Sequence, residues 1–468
     1  MANKGNVLTN DQFLSVDDYL VSSNGQFRLA MQGDGNLCVY GPNGWIWGTQ
    51  VTAPGGQFFA IMQSDGNFCV YKGTGPQDNR GGMWCTMATI PGGGRCFAIM
   101  EDGGNFGVYR GTGPNDNQGY VWGSQSVADP ALIRKFAPKV FLHPYDKSHP
   151  DSVEGYFKKV YLMNQGGVPL ATTVTAATLQ QYNDPNNYLV FADGQFPTAS
   201  NNFETGAAIV SGGQQGVGTT NAPVYVKTFR TSQHIDIKYI FFYSFQMYQT
   251  FRVGVLSGFS TKKRNFEWSR FGRHEADWEH ITVRLDPSGQ RMLGTFYSQH
   301  HGSVWVAQPP LVDGTHPVVL SALNSHACYW AEDTFATGDI IKPPGLVPIG
   351  WLKAADTTTV DGLVAYDMSP RPFNVVQWAP YNNPNNPNQL VILDNNTAAD
   401  AWLDFKGCWG PPRLDNTHID RPPALPSDVQ DMMFDIAKVG KIFIPDEYKF
   451  GDGPKSPKQQ GWWNDKEP

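Results

Sequence analysis

The stretch MQGDGNLCVY, residues Met31–Tyr40, decides the first part of the fold. It recurs as MQSDGNFCVY at Met62–Tyr71 and as MEDGGNFGVY at Met100–Tyr109. Apolar residues at every second position, with DG or GG turns between them, are typical of β-hairpins. Because one copy cannot bury its own apolar face, we expect three four-stranded sheets around a pseudo-threefold axis. Inside them should lie the three tryptophans that follow the copies, Trp47, Trp84 and Trp122.

The polar residues of the first two copies stand at alternate positions, so that they point to one side of a strand. Their pattern resembles the mannose-binding motif Q-x-D-x-N-x-V-x-Y of bulb-type lectins, the monocot family to which the snowdrop lectins belong. The resemblance covers about residues 1–125. It implies a β-prism in which Gln, Asp, Asn and Tyr bond the hydroxyls of mannose-type glycans. The implied carbohydrate-binding residues are Gln32, Asp34, Asn36, Tyr40, Gln63, Asp65, Asn67 and Tyr71.

The copies also depart from that motif. Cys38 and Cys69 replace the valine that packs on the sugar. In the third copy Glu101, Gly103 and Gly107 replace Gln, Asp and Val, so we expect that site to bind no sugar. An alternative is a prism kept as a scaffold or oligomerisation module with its sites unused.

Composition excludes several classes of protein. The net charge of −7 argues against a nucleic-acid partner. Six cysteines without CxxC spacing predict reduced, buried thiols and no zinc–thiolate site. The first residues, MANKGNVLTNDQF, contain no apolar signal segment, and no apolar run is long enough to span a bilayer. We therefore expect synthesis in the cytoplasm, with later release to act outside the cell left open.

Residues 126–425 carry no repeat and are predicted to form a larger, mostly antiparallel β-sandwich with a few short helices. The whole chain is thus expected to be all-β. A helix is predicted over ALIRKF, another near AATLQQY, and a third near SDVQDMMFDIAKV. Residues 426–468 are predicted to hold that last helix and a polar tail rich in Pro and Gly.

One cluster in the second domain predicts chemistry. His274, Glu275, Asp277, Glu279 and His280 fall within seven residues and run into a strand, which His274 is predicted to precede. In extended chain Asp277 and Glu279 face one side, whereas His280 faces the other side. Carboxylates with a histidine suit a divalent cation, most simply Ca²⁺ or Mg²⁺. The alternative is a satisfied hydrogen-bond network without a metal.

The second domain resembles the Vps62-type domain of plants, fungi and bacteria. The resemblance rests on five segments in the expected order, namely Ala137–Pro144, His274–His280, Ser298–Gly302, His316–Trp330 and Phe405–Pro412.

The cluster is also similar to the heptapeptide G-H-R-H-D-W-E of necrosis- and ethylene-inducing-like proteins, with Ala276 in place of the second histidine. Those proteins are metal-binding β-sandwich cytolysins that engage sphingolipid headgroups. The segments SQHHG and HPVV…NSHAC are similar to two further segments of that family. The resemblance implies a divalent cation held by residues drawn from His274, Asp277, Glu279, Glu267, His301 and His326.

Three functions fit these patterns. The first is a defence or toxin protein, whose lectin binds mannose-containing glycans or glycoproteins while a cation-binding, cytolysin-like domain acts on membrane glycolipids. The second is a metal-dependent hydrolase directed to glycans, although GxSxG and HExxH motifs are missing from the sequence. The third is a non-toxic storage or sorting lectin. Enzymatic activity and oligomeric state are left open.

Overall fold

The computed structural model describes residues 2–462 of the chain, apart from several short segments and one longer one. Those outside the description are residues 43, 87–88, 91–92, 103, 125–129, 196, 198–204, 231–233, 258–259, 268–271, 287–288, 301, 342–349, 361–362, 365–372, 374, 384–385, 387–388, 394–397 and 413–452. The chain divides into two compact units. The first comprises Met1–Ile133, Lys227–Ile237 and Arg284–Leu293, and the second comprises Arg134–Val226, Lys238–Val283 and Gly294–Pro468.

The first unit contains a β-prism. Its twelve described strands before residue 124 are β1 Val7–Thr9, β2 Phe13–Ser15, β3 Tyr19–Val21, β4 Arg28–Met31, β5 Leu37–Gly41, β6 Gly44–Gly48, β7 Phe58–Met62, β8 Phe68–Gly75, β9 Asp78–Cys85, β10 Cys96–Met100, β11 Phe106–Gly113 and β12 Asp116–Gly123. They form three antiparallel four-stranded sheets with the orders β3-β4-β5-β6, β2-β7-β8-β9 and β1-β10-β11-β12. The predicted arrangement of three sheets is confirmed.

Each sequence copy supplies three strands of a sheet, and the N-terminal segment supplies the fourth. Strand β3 completes the sheet of the first copy, β2 that of the second, and β1 that of the third. Residues 7–21 therefore contribute a strand to every face of the prism. The sequence did not predict these three short strands, because three residues are too few to show a period of two.

The three tryptophans that follow the copies contact one another in pairs. Their ring centroids lie 5.7 Å apart for Trp47 and Trp84, 5.6 Å for Trp47 and Trp122, and 5.5 Å for Trp84 and Trp122. All three pairs have the edge-to-face orientation that aromatic quadrupoles favour. Each sheet thus contributes one ring to a common core, as the sequence predicts.

One expectation about cysteines is wrong. Cys69 and Cys85 form a disulfide between β8 and β9, where their Cα atoms are directly paired at 4.1 Å. The first copy cannot form the same bond, because Gly48 stands opposite Cys38. Cys38, Cys96, Cys328 and Cys408 are free thiols. The cross-strand register that brings Cys85 to Cys69 is not visible from the spacing of cysteines alone.

The second unit is built from mixed sheets. The remaining described strands are β13 Lys139–Leu142, β14 Val160–Met163, β15 Pro169–Ala171, β16 Tyr188–Phe191, β17 Ile209–Ser211, β18 Val217–Thr220, β19 Val224–Arg230, β20 Ile235–Gln246, β21 Thr250–Ser257, β22 Ser260–Glu267, β23 His274–Leu285, β24 Met292–Gln299, β25 Gly302–Val306, β26 Leu311–Val312, β27 His316–Ser321, β28 Cys328–Tyr329, β29 Thr334–Ile341, β30 Gly350–Thr357, β31 Leu363–Val364, β32 Val375–Trp378 and β33 Leu390–Ile392. The described helices are α1 Pro130–Phe136, α2 Val153–Phe157, α3 Ala176–Gln181 and a 3-10 helix at Ala398–Asp404.

A six-stranded sheet with the order β25-β24-β23-β20-β19-β33 faces a seven-stranded sheet with the order β17-β18-β32-β13-β27-β26, in which β28 also pairs with β27. The ring of Phe241 on β20 lies 5.3 Å from Trp378 on β32, and the hydroxyl of Tyr297 on β24 donates to the carbonyl of Val318 on β27. These contacts make a sandwich. Parallel pairs in the described part of the unit include β13–β27, β18–β32, β19–β33 and β22–β31.

Two smaller sheets complete the unit, with the orders β29-β30-β21-β22-β31 and β15-β14-β16. Helices α1 and α3 confirm two of the predicted helices, whereas the helix predicted near residues 427–439 lies outside the described residues. No helix among the described residues is long and apolar enough to cross a membrane.

Replacing Trp47 by Ala should destabilise the prism by about 3 kcal/mol, because it removes one ring of the triangle. Denaturant unfolding followed by tryptophan fluorescence measures the change. The matched control is Trp45→Ala on the same strand, since the Trp45 side chain is 54% exposed. Equal losses in the two variants would contradict a core role for the triangle.

Candidate carbohydrate sites and a buried acidic cluster

The first candidate sugar site lies on β5 and the turn before it. Gln32 donates from Nε2 to the Tyr40 hydroxyl at 2.7 Å and accepts from the Cys38 thiol at 3.2 Å. Asp34 accepts the backbone N–H of Asn36 at 2.9 Å, which closes a tight turn. The structure therefore brings the four predicted residues together on one face.

Asn36 is oriented by the strand beside it. Its Oδ1 accepts from the Thr49 hydroxyl at 2.9 Å and from the Gln50 backbone N–H at 3.0 Å. The carbonyl end of the amide is thus held by the protein, and the Nδ2 donors point elsewhere. Among the described residues, Asn36 Nδ2 and the second carboxylate oxygen of Asp34 have no protein partner. A donor and an acceptor are left for a ligand.

The second site repeats this geometry. Gln63 donates to the Tyr71 hydroxyl at 3.2 Å, Asp65 accepts the Asn67 N–H at 2.9 Å, and Asn67 accepts from the Thr86 hydroxyl at 2.8 Å. Asp65 is exposed, whereas Gln63, Asn67 and Tyr71 are half-buried, as are their counterparts in the first site. The motif does not contain Thr49 and Thr86, although each stands two residues after the tryptophan of its copy, Trp47 or Trp84, and that shared spacing is a signal.

The third copy places a carboxylate where the other two have a sulfur atom. Glu101 accepts a hydrogen bond from the Tyr109 hydroxyl and another from Asn105 Nδ2 at 3.2 Å. A Cβ built on Gly107 would lie 2.6 Å from Glu101 Oε1, so the missing side chain makes room for this carboxylate. The Asn Nδ2 that the other sites leave for a ligand is here bonded to Glu101. Gly103 lies outside the described residues.

Asp277 and Glu279 of β23 face one side of the strand, and Trp278 and His280 face the other, as predicted from the sequence. Asp277 accepts from Nδ1 of His326 at 2.7 Å, and Glu279 accepts from the hydroxyl of Ser298. On the other side Trp278 stacks on Trp402 at 5.4 Å, and His280 lies 4.3 Å from the ring of Trp462.

The predicted metal ligands are engaged by protein groups. Glu267 accepts a hydrogen bond from Asn324 Nδ2 at 2.6 Å. His274 Nδ1 lies 2.6 Å from the backbone carbonyl oxygen of Ala276. His274 is the first residue of β23, so the prediction that it precedes the strand is wrong. His301 lies outside the described residues. Nowhere in the described ranges do three His, Cys, Asp or Glu side chains converge as metal ligands.

Two carboxylates of the cluster were not predicted. Asp146 lies 3.5 Å from Nε2 of His326, so this imidazole stands between Asp146 and Asp277. Asp356 is fully buried and accepts from the hydroxyls of Ser325 and Tyr329 while pairing with His300 at 2.8 Å. The sequence gives no signal for either, because both reach the cluster from distant strands and loops.

Burial and like charge perturb the pKa values of this cluster. Burial, with the nearby charge of Asp277, raises the pKa of Glu279 well above its usual range. Asp356 raises the pKa of His300 to about 9. Burial alone would lower the pKa of His326, but Asp146 and Asp277 raise it to about 10. Near neutral pH both imidazoles are therefore charged, and the raised pKa of Glu279 favours its protonated form.

The backbone around the cluster is unusual. Eight non-glycine residues of the described chain have positive φ, and four of them are Ala276, His300, Asn324 and His326. Residues other than glycine rarely adopt a positive φ, and backbone strain of this kind concentrates at functional sites. The cluster thus combines buried charge with strained backbone.

The fold and the two sites define a β-prism carrying lectin-type motifs, joined to a β-sandwich domain. The chain belongs to the Vps62 family, since the model of vacuolar protein sorting-associated protein 62 matches residues 124–366, more than half of its length. Comparison with curated proteins finds no match.

Solved structures similar to this chain include three plant lectins. A monocot mannose-binding lectin from Gastrodia elata is 24% identical over 25% of this chain and 96% of its own, with a TM-score of 0.21. A lectin from Allium sativum is 30% identical over 22% of this chain and 92% of its own, with a TM-score of 0.20. The mannose-specific agglutinin of snowdrop (Galanthus nivalis) bulbs, complexed with methyl α-D-mannoside, is 29% identical over 22% of this chain and 88% of its own, with a TM-score of 0.20.

His300→Gln tests the ion pair with Asp356 through its pH dependence. The folded-state pKa of about 9 lies above the ordinary value of 6.5. Such a pair stabilises the native state fully below about pH 6.5 and loses its effect as the pH rises through 9. Thermal unfolding between these limits should therefore show a steeper fall of the midpoint in the wild type than in the variant. Identical slopes would contradict the assignment.

Proposed function

We propose that this protein is a lectin that binds mannose-type glycans at the first two copies of its prism. The observation that carries the proposal is the geometry common to both sites. In each, a Gln–Tyr hydrogen bond, an Asp-closed turn and a Thr-held Asn fix the polar groups before any ligand arrives. Preorganised donors and acceptors suit a polyol, because little conformational freedom is lost on binding.

The contrast with the third copy supports the same function. In that copy Tyr109 and Asn105 both donate hydrogen bonds to Glu101, and a glycine replaces the Asp of the motif. Two sites on different sheets of one prism would also increase retention on a surface that carries many glycans. The partners proposed are therefore mannose-containing glycans or glycoproteins presented at high density.

Asp34→Ala/Asn36→Ala and Asp65→Ala/Asn67→Ala should each reduce the number of methyl α-mannoside sites from two to one, and their combination should abolish binding. Each pair removes the acceptor and donor left for the ligand. NMR titration counts the sites. The matched control is Asn105→Ala in the third copy, which should leave both sites intact. Unchanged binding in the fourfold variant would refute the proposal.

A divalent cation in the second domain is the other candidate function, favoured by five buried carboxyl groups. Asp146, Glu267, Asp277, Glu279 and Asp356 are all nearly inaccessible to solvent. His326 lies between Asp146 and Asp277, and Asn324 bonds both Asp146 and Glu267. Carboxylate oxygens suit Ca²⁺ or Mg²⁺, but the ligands of the described residues do not converge here, so binding requires Glu279 to give up its bond to Ser298.

Addition of Ca²⁺ or Mg²⁺ after chelation should raise the thermal midpoint of the wild type, because a ligand of the native state stabilises it by mass action. The rise should disappear in Asp277→Ala/Glu279→Ala and should increase with pH as Glu279 loses its proton. Glu332→Ala, which removes an exposed carboxylate of the same unit, is the control. If neither ion shifts the wild type, the cluster is a hydrogen-bond network.

A membrane-directed, cytolysin-like role depends on the cation and on the heptapeptide resemblance. It stays a prediction, as do the defence role and the alternatives of a glycan-directed hydrolase and a storage or sorting lectin. A lysis assay on vesicles that contain glycosylated lipids, with and without the cation, tests the cytolysin-like role. Cation-dependent lysis is expected for that role and not for a hydrolase or a storage or sorting lectin.

A further inference from the structure

One difference between the two intact sugar sites lies at a position that the motif does not contain. Trp45, on β6, stands opposite Tyr40 in the strand register. Its side chain is 54% exposed, which is unusual for a tryptophan in a folded domain. In the second site the residue opposite Tyr71 is Gly82, which has no side chain to stand where the indole of Trp45 stands in the first site.

The indole of Trp45 is fixed beside the floor of the first site. Its neighbour on that floor is the Cys38 thiol, which lies between Asn36 and Tyr40 on the motif face, and a Cβ built on Gly48 would lie 3.0 Å from the Cys38 sulfur. A Cβ built on Gly48 would lie 3.3 Å from both Trp45 Nε1 and Asn36 Oδ1. The nitrogen edge of the ring is thus next to the polar groups of the site, and the solvent-exposed part of the ring extends beyond them.

Trp45 borders the first sugar site and is not part of the prism core. Trp47, two residues later on the same strand, contacts Trp84 and Trp122 inside the prism. A register shift between them pairs Trp47 with the inward Val39 but Trp45 with the outward Tyr40, so Trp45 points to the opposite face. The flat, electron-rich face of an indole attracts the weakly positive C–H groups of a pyranose ring and removes apolar surface from water.

We infer that Trp45 makes the first site an extended subsite for a glycan of at least two linked pyranose rings. The floor residues take the hydroxyls of one ring, and the indole stacks on the C–H face of the next. The second site, with Gly82, takes a single terminal sugar. This inference depends on the proposed lectin function and adds to it which glycans each site selects.

Single-site proteins test the inference. Asp65→Ala/Asn67→Ala leaves the first site and Asp34→Ala/Asn36→Ala leaves the second. In the first-site protein, Trp45→Gly should weaken binding of an α-linked mannobioside by roughly three- to tenfold, and binding of methyl α-mannoside by less than about twofold. Trp45→Phe keeps an aromatic face and should retain most of the mannobioside affinity.

The reciprocal change uses the second-site protein. Gly82→Trp should raise its mannobioside affinity by a similar factor, because a Cβ there meets the Tyr71 ring at 3.5 Å, an ordinary contact. Titration calorimetry measures the affinity in both single-site proteins. In the first-site protein, the indole N–H resonance of Trp45 is identified by its loss in Trp45→Phe, and its shift on titration reports binding beside that ring.

The outcomes are distinguishable. Loss of mannobioside preference in Trp45→Gly and its gain in Gly82→Trp support the subsite. Unchanged mannobioside affinity, or equal losses for both sugars in Trp45→Gly, overturns it while leaving the lectin function standing. If the single-site parents bind neither sugar, the proposed function fails and the subsite fails with it.

Discussion

The contact among Trp47, Trp84 and Trp122 is the constraint on which the prism depends. No single four-stranded sheet can bury its apolar face, and each contributes one ring to the shared centre. Because the strand period is two, residues adjacent to the inward positions must point outward. The same register that buries the triangle therefore presents the polar motif of each copy on an outer face.

Equivalent backbones allow the three faces to differ in chemistry. The first face carries a thiol and an exposed indole, the second a disulfide and a glycine, and the third a carboxylate that bonds the motif's own Tyr and Asn. These differences lie at side chains that leave the sheets unchanged. A repeat fold can in this way keep one architecture while its sites diverge.

The sequence was sufficient to predict what depends on local pattern. The period of two, the turn residues and the repeated motif predicted the three sheets, and the extended conformation of β23 predicted the opposite orientations of Asp277 and Trp278. Contacts between distant segments could not be predicted. The Cys69–Cys85 disulfide requires the register of β8 and β9. Asp146 contacts His326 across 180 residues of the chain, and Asp356 contacts His300 across 56.

The most direct test of the account is a crystal structure of the protein with methyl α-mannoside. The account predicts one sugar on the face of β5, bonded to Asp34 and Asn36, and one on the face of β8, bonded to Asp65 and Asn67. The face of β11 should carry none, because Glu101 occupies its polar groups. Sugar on β11, or none on β5 and β8, would contradict the account.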